Sequence, residues 1–204
     1  MKLYLQKLSI TDGRLIYDML QEIESNANGF YNTVKGMPYD DYKLWLNQNV
    51  NISSGIGLED WMVPQTTYWM FVDEMPVGCG RIRHWLNESL EATGGHIGYA
   101  ISCLQREKGY GNELLRLLIE ECCEMGIECV QVGANKDNEL NFNVSISIPG
   151  KSLAFIVLYT NIPINKMSIK TFIIYILMVT VLYRTYDGVA PSAFLDKYEL
   201  NIIF

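Results

Sequence analysis

Apolar and polar positions follow two different periods along the first 134 residues, and each period predicts one kind of element. Alternation, or enrichment in β-branched and aromatic residues, predicts strands over residues 2–9, 66–72, 77–84, 97–101 and 128–134. Apolar residues at helical spacing predict a helix that is capped by Thr11 or Asp12 and runs to about residue 24, and a second from about 39 to 49. A third runs from a glycine turn to about 125, where Gly126 is expected to end it as a C′ glycine. The order β-α-α-β-β-β-α-β predicts a mixed sheet with helices packed on it.

The glycine turn Arg106-Glu107-Lys108-Gly109-Tyr110-Gly111 separates the predicted strand 97–101 from the long helix that follows. Backbone N–H groups in the first turn of a helix have no partner inside the helix, and the helix dipole adds about half a positive charge there. Glycines carry no Cβ, so the backbone can approach a phosphate closely. The pattern therefore predicts a cradle for a pyrophosphate at the start of this helix.

Composition narrows the class of protein. At 204 residues, with 49% hydrophobic and 19% charged residues, the chain suits one globular domain with a sizeable core. A net charge of −7 argues against a nucleic-acid binder, which normally carries a basic patch. The longest uncharged apolar run, residues 171–183, is thirteen residues long, short of the roughly 20 that span a bilayer. No membrane span is therefore expected.

The metal-ligating residue types are sparse. The five cysteines are an odd number without a C-x-x-C pair, which predicts reduced thiols and a cytoplasmic location. With only two histidines, no spacing supplies the four ligands of a zinc site, so no metal is expected.

The strand, the Arg-x-x-Gly-x-Gly turn, the amphipathic helix, the next strand and Asn138 together resemble the GNAT superfamily of acyl-CoA-dependent N-acetyltransferases. The segments RIRHWLN (81–87), GGHIGY (94–99), KGYG (108–111) and KDN (136–138) are similar to a bacterial subgroup of predicted acetyltransferases of unassigned substrate. The resemblance covers about residues 2–139. It implies an α/β (α+β) fold with a mixed, mostly antiparallel sheet and helices on both faces.

The resemblance also implies a function and a cosubstrate site. An acetyl group would move from acetyl-CoA to a primary amine by direct transfer in a ternary complex. The pantetheine arm would pair with the strand at Tyr99, Ala100 and Ile101, close to Asn138. The pyrophosphate would lie on the backbone of Arg106, Glu107, Lys108, Gly109, Tyr110, Gly111 and Asn112. Glu107 departs from the family pattern, because relatives often carry a basic residue there.

Amine acetylation also needs proton transfer, and few side chains are placed for it. His96 precedes the strand and titrates near neutrality, so it is one candidate base. Glu91 (with Glu88) lies in the polar connection before that strand, and Tyr99 is a candidate acid for the leaving thiolate. Each has a structural alternative: a histidine bonded to backbone, solvated loop carboxylates, and an aromatic ring packed in the core.

A change of composition after about residue 138 divides the chain. Residues 1–151 hold twelve basic and twenty acidic side chains, whereas residues 152–204 hold four and three. We therefore predict a GNAT domain over 1–139 and an atypical apolar tail over 140–204. The tail is expected either to complete the sheet or to come from outside the family, as a shifted reading frame would give.

The tail also bears on function, because residues 140–149 read as a strand where relatives continue into a helix and often supply the general acid. The alternative function is a CoA-binding or regulatory GNAT-like module without catalysis. The expected partners are acetyl-CoA and an amine-bearing acceptor, without nucleic acid, and homodimer formation is left open.

Overall fold

The computed structural model describes residues 1–27, 29–127, 129–135 and 154–160. The described strands are β1 Leu3–Lys7, β2 Asn26–Ala27, β3 Phe30–Tyr31, β4 Gln65–Val72, β5 Met75–Arg83, β6 Ile97–Ile101, β7 Cys129–Asn135 and β8 Ala154–Thr160. The described helices are α1 Arg14–Glu22, α2 Tyr39–Ser53, α3 Glu88–Thr93 and α4 Tyr110–Glu124, with a 3₁₀ turn at Cys103–Gln105.

One sheet organises the domain, with the strand order β1-β4-β5-β6-β7-β8. The pairs β1–β4, β4–β5 and β5–β6 are antiparallel, whereas β6–β7 and β7–β8 are parallel. The short strands β2 and β3 form a separate antiparallel hairpin between α1 and α2. The predicted mixed, mostly antiparallel α/β architecture is confirmed.

Helices cover both faces of the sheet, as the resemblance implied. On one face, α1 and α2 bury an apolar cluster around Leu20, Leu46 and Trp69. On the other, α4 buries Leu118 and Ile119 against the sheet. The i, i+3/i+4 spacing of apolar residues on α4 places one continuous stripe against the strands, which is why the sequence pattern located this helix well.

The predicted N-cap of α1, Thr11 or Asp12, is wrong by one to two residues, because the cap is Gly13. Asp12 does not cap the helix; it is buried and accepts hydrogen bonds from the Ser9 N–H at 2.8 Å and from Trp69 Nε1 at 2.6 Å. The helix begins at Arg14 instead, after Gly13. The Asp12 carboxylate, which the local sequence predicts to be a helix cap, thus instead fixes the Trp69 indole of β4 in the core.

The connection predicted over residues 85–95 contains helix α3, which the apolar pattern missed. Asn87 caps it by accepting a hydrogen bond from the Leu90 N–H at 3.0 Å. A six-residue helix is too short to show a repeating apolar face. The C-terminal glycine of α4 is confirmed: Gly126 has φ +76°, and the Ile127 N–H reaches the Cys122 carbonyl at 3.0 Å.

Beyond β7, the structure describes β8, which pairs with β7 along its whole length. The strand predicted over residues 140–149 and the apolar run 171–183 lie outside the described residues. The domain boundary near residue 139 therefore stays a prediction. Within the described ranges, no helix has the length and apolarity needed to span a membrane.

Candidate active site

The turn between β6 and α4 adopts a conformation that suits an anion cradle. Gly109 precedes the helix with φ +79°, a left-handed conformation that glycine adopts without strain. Apart from its chain neighbours, no atom of the described residues lies within 4 Å of the position that a Cβ of Gly109 would take. Glu107 is also left-handed, with φ +64°, and its side chain is exposed.

The backbone N–H groups of this turn are available. Within the described part of the chain, no hydrogen bond uses the N–H groups of Gly109, Tyr110 or Gly111. The first bonds of α4 run from the N–H groups of Asn112, at 3.2 Å, and Glu113, at 3.4 Å, to the Gly109 carbonyl. Three consecutive donors at the positive end of a fifteen-residue helix would suit an anion, and the predicted cradle stays a prediction.

The basic side chains of the turn are held by the protein itself. The Arg106 guanidinium pairs with the Glu24 carboxylate, and this pairing lowers the pKa of Glu24. Lys108 Nζ donates to Gln105 Oε1 at 2.8 Å. Among the described residues, each basic side chain of the turn thus already has a protein partner, whereas the three backbone amides of the turn have none.

Strand β6 pairs along its whole length with β5 but at only one position with β7. Five consecutive residue pairs, from Gly78↔Ile101 to Ile82↔Ile97, join it to β5. A single pair, Ile97↔Val132, joins it to β7. Because β7 stays fully paired with β8 on its other side, β6 and β7 part after this one pair. We call this gap between the two strands the opening.

The hydrogen-bond register shows which backbone groups line the opening. The Arg83 N–H donates to the His96 carbonyl and the Ser102 N–H to the Val77 carbonyl, both at 2.9 Å, so even-numbered residues of β6 face β5. The N–H and C=O groups of Tyr99 and Ile101 are therefore directed into the opening, whereas those of Ala100 face β5. The Ile101 carbonyl already accepts a long hydrogen bond from Arg106 Nε at 3.4 Å. This alternation is the one needed for an extended ligand to pair with β6 as an added strand.

The cradle and the opening are continuous. A Cβ at Gly111 would lie 3.9 Å from Tyr99 Cε2 and 4.0 Å from Ile101 Cγ1. The second glycine of the turn thus lies against the two residues whose backbone lines the opening. A ligand with a diphosphate and an extended arm could therefore contact both the turn and the opening.

His96 lies at the base of the opening and joins β6 to β7. Its backbone N–H donates to the Gln131 carbonyl at 2.6 Å, and its Nδ1 accepts from the Gln131 N–H at 3.1 Å. Burial, together with the charge of Arg83, lowers the pKa of His96. An accepting Nδ1 requires the neutral tautomer with the proton on Nε2, so His96 cannot take a proton at Nδ1 without breaking this bond. Its catalytic role stays a prediction.

The other predicted site residues are placed differently. Glu91 is on α3, and its side chain is exposed. Its backbone carbonyl accepts a hydrogen bond from Nε2 of the Gln131 side chain. Tyr99 is partly buried on the α4 face, and burial raises the pKa of its hydroxyl. Asn138 lies outside the described residues. The roles of Glu91, Tyr99 and Asn138 stay predictions.

Sequence reasoning missed two contacts that tie the end of α1 to this region. Ser102 Oγ donates to the Glu22 carboxylate, and Arg106 pairs with Glu24. The partners are 80 and 82 residues apart, so no local pattern indicates either contact. Together they fix the turn against the α1 side of the sheet.

Comparison with known proteins decides the family. The profile described as "Acetyltransferase (GNAT) family" matches residues 22–143 of the 204. The chain belongs to the GNAT acetyltransferase family. Membership implies acyl transfer from acetyl-CoA. The matched segment contains β6, the turn, α4 and β7, the elements that form the cradle and the opening.

The acetyltransferase of GNAT family from Streptococcus pneumoniae is a solved structure similar to this GNAT chain. It is 16% identical with a TM-score of 0.39, and the match covers 62% of this chain and 70% of that one. No curated protein sequence gives a significant match. Among the described residues of this GNAT protein, no group of three or more His, Cys, Asp or Glu side chains is arranged to hold a metal ion.

Proposed function

We propose that this GNAT protein is an N-acetyltransferase that moves an acetyl group from acetyl-CoA to a primary amine by direct transfer in a ternary complex. The observation that carries the proposal is the continuity between the three available amides at the start of α4 and the opening beside β6. Family membership supports acetyl-CoA as the acyl donor. The primary amine as acceptor is the part that we propose.

The residues present fit acetyl-CoA. The N–H groups of Gly109, Tyr110 and Gly111 would bind the diphosphate, and the space above Gly109 admits it. The backbone of Tyr99 and Ile101 would pair with the pantetheine arm in the opening. Acetyl-CoA supplies the activated acyl group, so no nucleophile from the protein is needed, and holding both substrates together supplies much of the rate.

The protein's own groups would then orient the reactants and move protons. A backbone N–H of β6 in the opening would polarise the thioester carbonyl. Tyr99, whose raised pKa keeps its hydroxyl protonated, would donate a proton to the departing thiolate. His96 and Glu91 stay the proposed acceptors of the amine's proton, and His96 would have to release the Gln131 N–H to accept it at Nδ1.

The hydrogen bond that His96 Nδ1 already accepts favours a second candidate function, a CoA-binding module without catalysis. Its Nδ1 is taken by backbone, and the Glu91 side chain is exposed on α3. A panel of primary amines tested with acetyl-CoA, with release of free thiol as the readout, separates the two functions. Turnover of any amine supports the enzyme; binding of acetyl-CoA without turnover of any amine supports the module.

The decisive variant for the cradle is Gly109→Trp. It should reduce acetyl-CoA binding, measured by calorimetry, below detection because the indole fills the space above the turn. The left-handed backbone should add a stability loss of about 1–2 kcal/mol for any residue with a Cβ.

Gly126→Trp is the matched control, because it lies at the other end of the same helix. Gly126 has φ +76°, against +79° for Gly109, and both positions have open space around a Cβ. The control should lose similar stability and bind acetyl-CoA as the unaltered protein does. Unchanged affinity in Gly109→Trp would refute the cradle.

A further inference from the structure

A charged side chain, that of Arg81, lies on the opposite face of the sheet from the cradle. Arg81 of β5 pairs with Gly98 of β6, next to the Ile97↔Val132 pair at which the opening begins. The Arg81 guanidinium carbon lies 4.6 Å from the centre of the Phe30 ring. A Cβ at Gly98 would lie 3.5 Å from Phe30 Cδ2, so Arg81, Gly98 and Phe30 meet on the α1–α2 face.

Arg81 is partly buried, and apart from the Phe30 ring it lacks, among the described residues, the carboxylate partner that such a cation normally has. Its Nε is enclosed and makes no hydrogen bond, and in the described ranges no carboxylate forms an ion pair with Arg81 or Arg83. Arg83 Nη1 is already used, because it donates to the Gly95 carbonyl at 2.7 Å. Burial lowers the pKa of both arginines, and the charge of Arg81 lowers that of Arg83 further.

This arrangement opposes stability. Enclosing a cation without a counter-ion costs free energy, and buried polar groups are ordinarily hydrogen-bonded. The chain has an excess of acidic residues, with a net charge of −7, yet none pairs with this guanidinium in the part of the protein described. An anion from a ligand would satisfy Arg81.

We propose that Arg81 binds a carboxylate on the amine acceptor, so that the substrate class is amines that carry a carboxylate, such as amino acids. The guanidinium presents a flat pair of donors that matches a carboxylate in a bidentate contact. The inference rests on the proposed acetyltransferase function.

The position of Arg81 separates this anion from the diphosphate of the cosubstrate. Gly111, in the cradle, lies against Tyr99 and Ile101, which belong to the α4 face. Ala100 and Phe30 belong to the cluster on the α1–α2 face. A cosubstrate held in the opening would therefore meet the acceptor from the Arg81 side.

The test measures binding, so it does not depend on turnover. Calorimetry compares acetylated amino acids of acidic, basic, aliphatic and aromatic type with acetylated amines that have the same side chain but no carboxylate. In the unaltered protein we expect at least one acetylated amino acid to bind about tenfold or more tightly than its partner, as a charge-assisted pair provides. Arg81→Gln should abolish that preference.

Arg116→Gln is the control for loss of one positive charge. Arg116 is on α4, where it pairs with Glu113 and Glu120, away from the Arg81 face. The preference should persist in this variant. A panel without any preference, or a preference that survives Arg81→Gln, would overturn the proposal.

Two further readouts separate this proposal from its alternatives. Arg81→Met should raise the melting temperature by a few degrees, because it removes an unpaired enclosed charge; a purely structural arginine would lower it. Acetyl-CoA affinity should be unchanged in Arg81→Gln. Failure of the unaltered protein to bind acetyl-CoA would refute the proposed function, a result distinct from the loss or survival of carboxylate preference.

Discussion

Strand β6 has a closed seam with β5 and an open seam with β7, and the two differ by more than the number of residue pairs. The closed seam runs through all five residues of β6 and continues where the Ser102 N–H bonds to the Val77 carbonyl. The open seam has one pair, Ile97↔Val132. The same strand therefore supplies both a rigid wall and a line of backbone groups directed into a gap. The candidate site lies where the sheet stops pairing.

Glycines mark the tight contacts on both sides of β6. On the closed seam, a Cβ at Gly78 would lie 2.7 Å from the Ala100 carbonyl oxygen. At the base of the opening, a Cβ at Gly95 would overlap the Gln131 carbonyl, and Gly95 has φ +64°. His96 and then Ile97 make the close contacts with β7 before the strands part.

The largest difference in unfolding free energy should appear between two glycine-to-alanine substitutions, one in each seam. Gly78→Ala forces a Cβ against backbone in the closed seam and should cost about 1–3 kcal/mol of unfolding free energy. Gly111→Ala places its Cβ at ordinary contact distance beside the opening, in the first turn of α4. It should be neutral or stabilise by up to about 1 kcal/mol, because alanine favours the helix.

Urea unfolding of the two variants measures this difference. Equal destabilisation by both substitutions would mean that the two seams are equally tight. The contrast on which the candidate site rests would then be lost.

A smaller effect should appear when pH changes the charge of His96 at the base of the opening. Burial lowers the pKa of His96 in the folded protein, so its stability contribution is complete above the unfolded value of about 6.5. It is lost as pH falls from there towards the folded pKa. His96→Asn keeps an acceptor for the Gln131 N–H but removes the titration.

Unfolding free energy measured from pH 8 to 5 tests this. The slope below about pH 6.5 should be shallower in His96→Asn than in the unaltered protein. His84 also has a pKa lowered by burial, so His84→Gln should remove a second part of the slope. An unchanged slope in the double variant would show that neither histidine is held neutral by the fold.

The smallest effect should come from the ion pair at the turn. Arg106 pairs with Glu24 at a partly exposed site, and such pairs contribute about 0–1 kcal/mol to stability. Because its charge is already balanced, Arg106→Gln should weaken acetyl-CoA binding less than about tenfold. Glu24→Gln releases Arg106 and should tighten binding slightly. Calorimetry of both variants checks this, and a loss of all binding in Arg106→Gln would place the phosphate on the side chain instead of the backbone.

The sequence predicted those parts of the fold that local pattern controls. The bounds of β6, the glycine turn and the C-terminal glycine of α4 are correct, because strand alternation, backbone freedom at glycine and helix capping all act within a few residues. Helix α3 was missed because its signal is one capping residue, Asn87, without a repeating apolar face.

The remaining features depend on contacts between distant residues. Asp12 reads as a helix cap, but its carboxylate binds the indole of Trp69, 57 residues away. The binding of His96 Nδ1 to the Gln131 N–H depends on the register of β6 and β7, which no single-sequence pattern gives. The unpaired state of Arg81 likewise appears only after the sheet has placed Phe30 beside it. Sequence reasoning therefore predicted the glycine turn and the helix after it, but not the long-range contacts around them.

The most direct test of the account is a crystal structure of the protein with CoA bound. We predict that the diphosphate oxygens lie within hydrogen-bond distance of the N–H groups of Gly109, Tyr110 and Gly111, with the pantetheine arm between β6 and β7. A CoA molecule bound elsewhere, with β6 and β7 unchanged and those three amides contacting only solvent, would contradict the account.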